Sequence, residues 1–517
     1  MRDRASFACL PVALFGFAAC LGGMAWAADE LTCDFPFTGS LAPNEVDELT
    51  IRVENEEILS FTFVPLDPTA PGFDPAWRLL RADGLPASTC GGWTQARHAD
   101  CGPLPTSAGP YRMEIADWGA DAGGAYRVHL QRLTALRSCE STPLICDVVL
   151  DGVIEDQTDS DLVAFSVDDG ERISLTAAPI QPAPGFEMIW RLLQADGSAA
   201  PFCGGWNNPG EVDCGPLPAW GNPYRIEIKD AGENVTGNYR LRMQTLAAPS
   251  ACDQRELSCD VILSGSIENP LDSDLLAFPV ADGEWINLTV VPVLPEPGFN
   301  PAWRLLQKDG SPAPSFGGWS DSRQADCGPL PASGSPYRVQ VKDWSEDAVG
   351  SYRVILQRLS FPQSCEQTPL ECDVPLDGTI DDPIDSDLLT FQVSEGERIA
   401  LTMVPISPAP GFEPHWRLLQ GDGTAAPSCW NWNGAGYIEC GPLPAWGNPY
   451  RIAIKDYGED VAGAYRIHLQ RLTASAVCEA IPLQCDVPCN GRIDDRTDTD
   501  LLRFSVADGE RISVTAV

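Results

Sequence analysis

Short runs in which apolar and polar residues alternate fill most of the chain, and they predict β-strands rather than helices. In the stretch 146–252 these runs are CDVVLDGVI, SDLVAFSV, ERISLTAAP, FEMIWRLLQ, PYRIEIKD and GNYRLRMQTL, parted by DG, PG, GN and TG breaks. Tyr224, Ile226 and Ile228 alternate with polar neighbours, as do Ile173 and Leu175, so one face of each strand is expected to pack inward. No run has helical periodicity with caps. The same runs return at a fixed interval. DSDLLAFPVADGEWINLTVVP (272–292) has counterparts starting at Asp159, Asp385 and Asp498, and Trp77, Trp190, Trp303 and Trp416 stand 113 residues apart. About seven or eight strands in roughly 107 residues fill a β-sandwich, whereas a propeller blade needs only about 40 to 50. The fold expected is therefore all-β, a tandem array of sandwiches on a 113-residue repeat with no insertion or deletion breaking the register.

Cys33, Cys146, Cys259, Cys372 and Cys485 keep the same interval, as do Cys139, Cys252, Cys365 and Cys478. They place four full repeats at 28–139, 146–252, 259–365 and 372–478, and a partial fifth at 485–517. A half sandwich leaves strand edges unpaired, so the fifth is expected to belong to a truncated chain. Residues 1–27 read as a secretory signal: Arg2 and Arg4, an apolar run, then Ala25-Trp26-Ala27 as a small-x-small cleavage site. Lipoprotein-type anchoring at Cys20 is the alternative. No later stretch is long and apolar enough to span a membrane. The expected location is extracellular or at the cell surface. Net charge is −39, from 73 acidic and 34 basic residues, with acids spread through every repeat. Nucleic acid and anionic lipid need a basic partner, so neither is expected to bind.

The order Asp-Ser-Asp-Leu, Phe-x-Val, Asp-Gly, PYRIEIKD and Gly-x-Tyr-Arg resembles the bacterial pre-peptidase C-terminal domain over most of each repeat. The resemblance implies a jelly-roll-like sandwich and secretion. It implies no activity, since no peptidase domain accompanies it. The cysteines and the CGGW and GPLP segments depart from that family's pattern.

Nineteen cysteines in a secreted chain should mostly be bridged. Cys90–Cys101, Cys203–Cys214 and Cys429–Cys440 close ten-residue loops, while Phe316 replaces the partner of Cys327 and leaves it free. The other set allows local pairing, Cys139 with Cys146 and so on, or a clasp from first strand to last. The clasp, Cys33–Cys139, Cys146–Cys252, Cys259–Cys365 and Cys372–Cys478, is preferred because it gives Cys33 a partner. It makes ESTPLI, DQRELS, EQTPLE and EAIPLQ linkers between closed domains. Cys489 has no repeat partner.

Two patterns are candidates for chemistry. The pairs Asp159/Asp161, Asp272/Asp274 and Asp385/Asp387 lie two apart at a strand start and could offer oxygen ligands to calcium, or simply bond turn amides. The first repeat has Val46 and Glu48 there. The loop tryptophans Trp206, Trp220, Trp432 and Trp446 lie beside Gly and Asn, as a sugar-stacking platform would, or they cover the end of a sandwich. Trp77, Trp190, Trp303 and Trp416 are expected in the core. No histidine recurs in every repeat, so a Ser-His-Asp, Cys-His or His-zinc site in each repeat is excluded. His129 and His468 share a repeat position with Arg242 and Ile355 and are expected on an exposed strand face. The expected function is non-enzymatic: structural, adhesive or spacer modules. A glycan-binding array is the alternative, and an accessory region of a secreted hydrolase the third reading. No cofactor is expected apart from calcium.

Overall fold

The computed structural model describes residues 29–516 apart from 34, 55, 68–70, 135, 137–138, 140–141, 182, 248–250, 253, 294–296, 361, 364, 408–409, 474–477 and 479. The segment 1–27 expected to be a signal, with Cys20, lies outside the described residues. In the first repeat the strands are β1 (Asp29–Glu30), β2 (Phe37–Leu41), β3 (Val46–Ile51), β4 (Glu57–Pro65), β5 (Pro75–Leu80), β6 (His98–Leu104), β7 (Tyr111–Asp117) and β8 (Gly124–Arg132). They form two four-stranded sheets, β1-β3-β7-β5 and β2-β8-β4-β6. Only β1 and β3 pair in parallel; the other neighbours are antiparallel. Repeats two, three and four have the same eight strands in the same order. The chain divides into two units at Arg132 and Leu133, so repeats two to four share one unit.

Alternation along each strand turns one residue in two toward the gap between the sheets, and that gap is the core. Trp77, Trp190, Trp303 and Trp416 are fully buried at its centre, each among about a score of buried apolar side chains. A second device recurs in every repeat. The glycine of the second strand, Gly39, Gly152, Gly265 or Gly378, lies flat against the ring of Tyr126, Tyr239, Tyr352 or Tyr465 on the strand opposite. A Cβ at any of these glycines would overlap that ring.

The sandwiches are closed by disulfides. Cys146–Cys252, Cys259–Cys365 and Cys372–Cys478 join the segment before the second strand to the segment after the last, with Cα atoms 5.7–6.0 Å apart. Cys33 and Cys139 are also disulfide-bonded. Cys90–Cys101, Cys203–Cys214 and Cys429–Cys440 close the shorter loops, while Cys327, Cys485 and Cys489 are free. In the third repeat the ring of Phe316 stacks on Trp303 at 5.4 Å, so packing replaces the missing bond.

Two expectations change. The presumed linkers are structural: Thr142–Pro143, Gln254–Glu256 and Thr368–Pro369 are edge strands that pair in parallel with the third strand of the sandwich that follows. The register is also not unbroken. In the first repeat Asp47 pairs with Ile115, whereas in the second Asp161 pairs with Ile228, so β3 and β4 sit one residue early relative to the 113-residue count. The inward face must be kept, and a one-residue slip in the loops keeps it where a slip in pairing would turn every side chain over.

Gly265→Ala should lower the stability of the third sandwich by about 1–3 kcal/mol, the usual cost of overpacking, as read from chemical unfolding followed by tryptophan fluorescence.

Candidate functional site

The paired acids divide their work. The first of each pair bonds the turn at the strand start: Asp159 accepts from the Glu155 amide at 3.0 Å, Asp272 from the Glu268 amide at 3.0 Å, and Asp385 from the Ser386 amide at 2.8 Å. The second accepts from the tyrosine hydroxyl that the glycine makes room for, at 2.6 Å for Asp161, 2.5 Å for Asp274 and 2.5 Å for Asp387. The first repeat carries the same pair, shifted by one as Glu45 and Asp47, with bonds of 2.7 Å to the Ala42 amide and 2.7 Å to the Tyr126 hydroxyl. Val46 and Glu48 are thus not its counterparts; reading NEVDEL one residue early would have found them. Among the described residues no group of three or more His, Cys, Asp or Glu side chains is arranged to hold a metal ion.

The loop tryptophans separate into two classes. Trp206 has the Arg191 guanidinium 4.5 Å and the Lys229 ammonium 5.0 Å from its ring centroid, and Trp432 has Arg417 and Lys455 at 4.6 and 4.9 Å. Trp319 has the same arrangement with Arg304 and Lys342 at 4.6 and 4.5 Å. These rings hold cations. Trp220 and Trp446 instead stand 72% and 71% exposed on identical 3₁₀ turns, Ala219–Gly221 and Ala445–Gly447. The structure does not bring the four tryptophans together as one class of site.

What the cations over Trp319 and Trp432 reach is the preceding sandwich, whereas Arg191 and Lys229 pair with Glu227 and Glu233 of their own repeat. Arg304 grips Asp213 with two hydrogen bonds of 2.6 and 2.8 Å, and Lys342 bonds Glu211 at 2.6 Å, so the second repeat is tied to the third. Burial pushes the Glu211 carboxyl up, but Arg304 and Lys342 outweigh it and hold it below the ordinary glutamate range. The next joint repeats the design, with Arg417 on Asp326 at 2.5 and 2.8 Å and Lys455 on Gln324 at 2.5 Å. Beside the cations lies a small apolar plug: Leu246, Leu275 and Leu306 at the first of these joints, and Leu359, Leu388, Leu419 and Ala453 at the second.

A third patch completes each joint. Arg242 pairs with Asp147 of its own repeat and extends forward to Asp272 at 2.9 Å and to the Ser273 carbonyl at 3.0 Å, and the Gln244 amide donates to that carbonyl at 2.7 Å. Arg242, Asp272 and Asp274 line a polar cleft of about 420 Å³ there. His468 takes the same place at the joint of repeats four and five, with Nδ1 3.0 Å from the Thr497 carbonyl and Nε2 3.3 Å from Asp373. His129 and His468 are 2% exposed, so the expected open strand face is a buried one. For His468 the cover comes from the repeat that follows, through the Thr497 carbonyl, which a single-repeat reading leaves out. Sequence reasoning also missed the buried glutamates Glu57, Glu284 and Glu397, each of which accepts from an amide of its own turn and pairs with Arg132, Arg358 or Arg471. Their signal was the glutamate ending each turn before an apolar strand.

No known family model and no curated protein matches the chain. Among solved structures it is similar to the pre-peptidase C-terminal domain of a collagenase from Bacillus anthracis, at 18% identity over 21% of this chain and 98% of that one, with a TM-score of 0.17. The CUB1-EGF-CUB2 domains of rat MASP-1 match at 12% identity over 40% of this chain and 97% of that one, with a TM-score of 0.12. Likeness at this level says nothing of a shared activity. Among the described residues no helix is long and apolar enough to cross a membrane.

Since the paired acids already serve tyrosines and turn amides, chelation by EDTA should leave the melting temperature unchanged in differential scanning calorimetry. Arg304→Ala should cost about 1.5–3 kcal/mol at the joint between repeats two and three, the worth of hydrogen bonds to a charged partner. Amide hydrogen exchange should show that loss in the Leu246 and Leu275 segments and not in the core around Trp303.

Proposed function

We propose that the chain is a non-enzymatic spacer, an array of sandwiches of the pre-peptidase C-terminal type that acts outside the cell and holds what it carries at a set distance. The repeated joint carries this reading. A flexible tether would have Gly- and Ser-rich linkers. Here the connecting residues are edge strands of the next sandwich, and Arg304, Lys342, Arg417 and Lys455 lock one sandwich on another. Secretion is supported by the signal-like segment 1–27 and by the disulfides that close the sandwiches. The family assignment rests on the order of motifs in each repeat, and the net charge of −39 keeps such a surface from collecting nucleic acid.

A second reading has its own observation. Trp220 and Trp446 present open indole faces beside Asn222 and Asn448, whose amides donate to the Val167 and Val393 carbonyls and so fix the turn. A rigid, exposed ring of this kind suits a sugar face, and two such rings in alternate repeats would add their weak affinities.

In-frame removal of residues 259–371 is the test of the spacer. It sets Glu211 and Asp213 against Arg417 and Lys455, a complementary pairing, so the shortened chain should fold and lose one sandwich length from its maximum dimension in small-angle scattering. A maximum dimension that does not fall, or a broad one typical of a flexible string, would refute the reading. For the glycan reading, retention on insoluble polysaccharide should disappear in the Trp220→Ala, Trp446→Ala double variant, and no retention of the parent chain on any glycan discards it.

A further inference from the structure

The three joints of repeats two to five are built on one plan but differ at one position, and the difference leaves one of them with no cation at that position. At the joint of repeats two and three Arg242 sits between Asp147 and Asp272, and Arg255 lines the same cleft. At the joint of repeats four and five His468 faces Asp373, and Arg466 pairs with Asp495. At the joint of repeats three and four the corresponding residues are Ile355 and Thr368. Ile355 is buried with Val291 and Ile384 in an apolar patch. The acids of the plan are kept: Asp260, Asp385 and Asp387 stand where Asp147, Asp272 and Asp274 stand one repeat earlier, and Glu366 joins them from the connecting segment.

Every charged or titratable group around this cluster can be assigned. Arg353 pairs with Asp382, and Arg466 on the facing strand is held by Asp377 and Asp495. The Tyr465 hydroxyl donates to Asp387 at 2.5 Å, and Asp381 adds a further negative charge beside Glu366 and Asp385. Glu366 accepts from the Leu388 amide at 3.0 Å, and Asp385 from the Ser386 amide at 2.8 Å. Among the described residues no Lys, Arg or His pairs with Asp260, Glu366, Asp385 or Asp387, and Oδ1 of Asp260 is buried without a hydrogen-bond partner.

We propose that the joint between the third and fourth sandwiches is an acid-responsive clasp, which closes when protons are shared among Asp260, Glu366, Asp385 and Asp387 and loosens when these carboxyls all ionise. Four half-buried carboxylates gathered at one joint with no cation paired to any of them repel one another, and a proton turns one of them into a donor that its neighbour can accept from. Burial, followed by the charges of Glu366 and Asp385, pushes the Asp260 carboxyl up to about 7. Burial likewise raises Asp387 to about 7, against the bond from Tyr465 and with help from Glu366, Asp385 and Asp260. Glu366 and Asp385 move in the same direction. Carboxyls released from the joint titrate near about 4. Between about pH 4 and 7 the closed joint therefore holds more protons than the open one, and its stability falls as pH rises through that window. Above about 7 the loss is complete. The joint of repeats two and three, with Arg242 in place, lacks this response.

Amide hydrogen exchange of the intact protein in EDTA, with rates corrected for their intrinsic pH dependence, tests the clasp. Opening of the segment 384–391 should rise about tenfold or more from pH 5.5 to pH 8, while the matching segment 271–278 changes little. Ile355→Arg should flatten the response of 384–391, and Asp260→Asn, which keeps the shape of the protonated acid, should give slow exchange at pH 8. Equal pH responses in the two segments would overturn the proposal, and so would a wild-type response in Ile355→Arg. If that variant does not fold, Asp260→Asn decides: unchanged exchange at pH 8 refutes the clasp. Slow exchange restored at pH 8 by calcium without EDTA would also refute it, by making the cluster a cation site. These outcomes do not depend on the spacer reading, which fails or stands on molecular dimensions.

Discussion

The array depends on a cation laid over an indole. Arg304 and Arg417 are long side chains that would lose much rotamer freedom on reaching across to another sandwich, and the ring of Trp319 or Trp432 removes that freedom in advance. The guanidinium then meets Asp213 or Asp326 already oriented for two parallel bonds, which a flexible lysine could not make. The lysine of each set, Lys342 or Lys455, works beside it as a point charge. Without the ring the same residues would be ordinary surface charges, worth little to each other.

The same economy runs through the sandwich itself. The glycine, the tyrosine and the second acid of each pair form one unit: the glycine has no side chain, so the tyrosine lies flat, so its hydroxyl reaches the carboxylate. That chain of dependence accounts for the Asp-x-Asp pattern without a metal. It also accounts for the first repeat, where the tyrosine finds Asp47 although the count along the sequence points to Glu48.

Alternation and the fixed interval made the sandwiches legible, because each strand buries one face and each repeat is self-contained in its core. Trp77 and its counterparts could be placed for that reason. The joints were not legible. Whether Trp206 shows its face to water or to Arg191 depends on which strands end side by side, and the periodicity of one strand does not carry that information. His468 was misplaced for the same reason, since a polar residue on the outer face of a sandwich looks exposed until a neighbour covers it. The connecting segments hid their role too: Thr142–Pro143 and Thr368–Pro369 are too short to read as strands and pair only with residues some twenty positions on.

Tandem copies this alike are at risk of exchanging parts, because a strand of one repeat fits its own slot in the next about as well. The position held by Arg242, Ile355 and His468 counters that risk. It lies in the joint, and at each joint it asks for something different from the neighbour: a carboxylate for the arginine, an apolar side chain for the isoleucine, a backbone carbonyl for the histidine. In an otherwise monotonous chain this residue serves as an address, telling each sandwich which of its near-identical siblings belongs beside it.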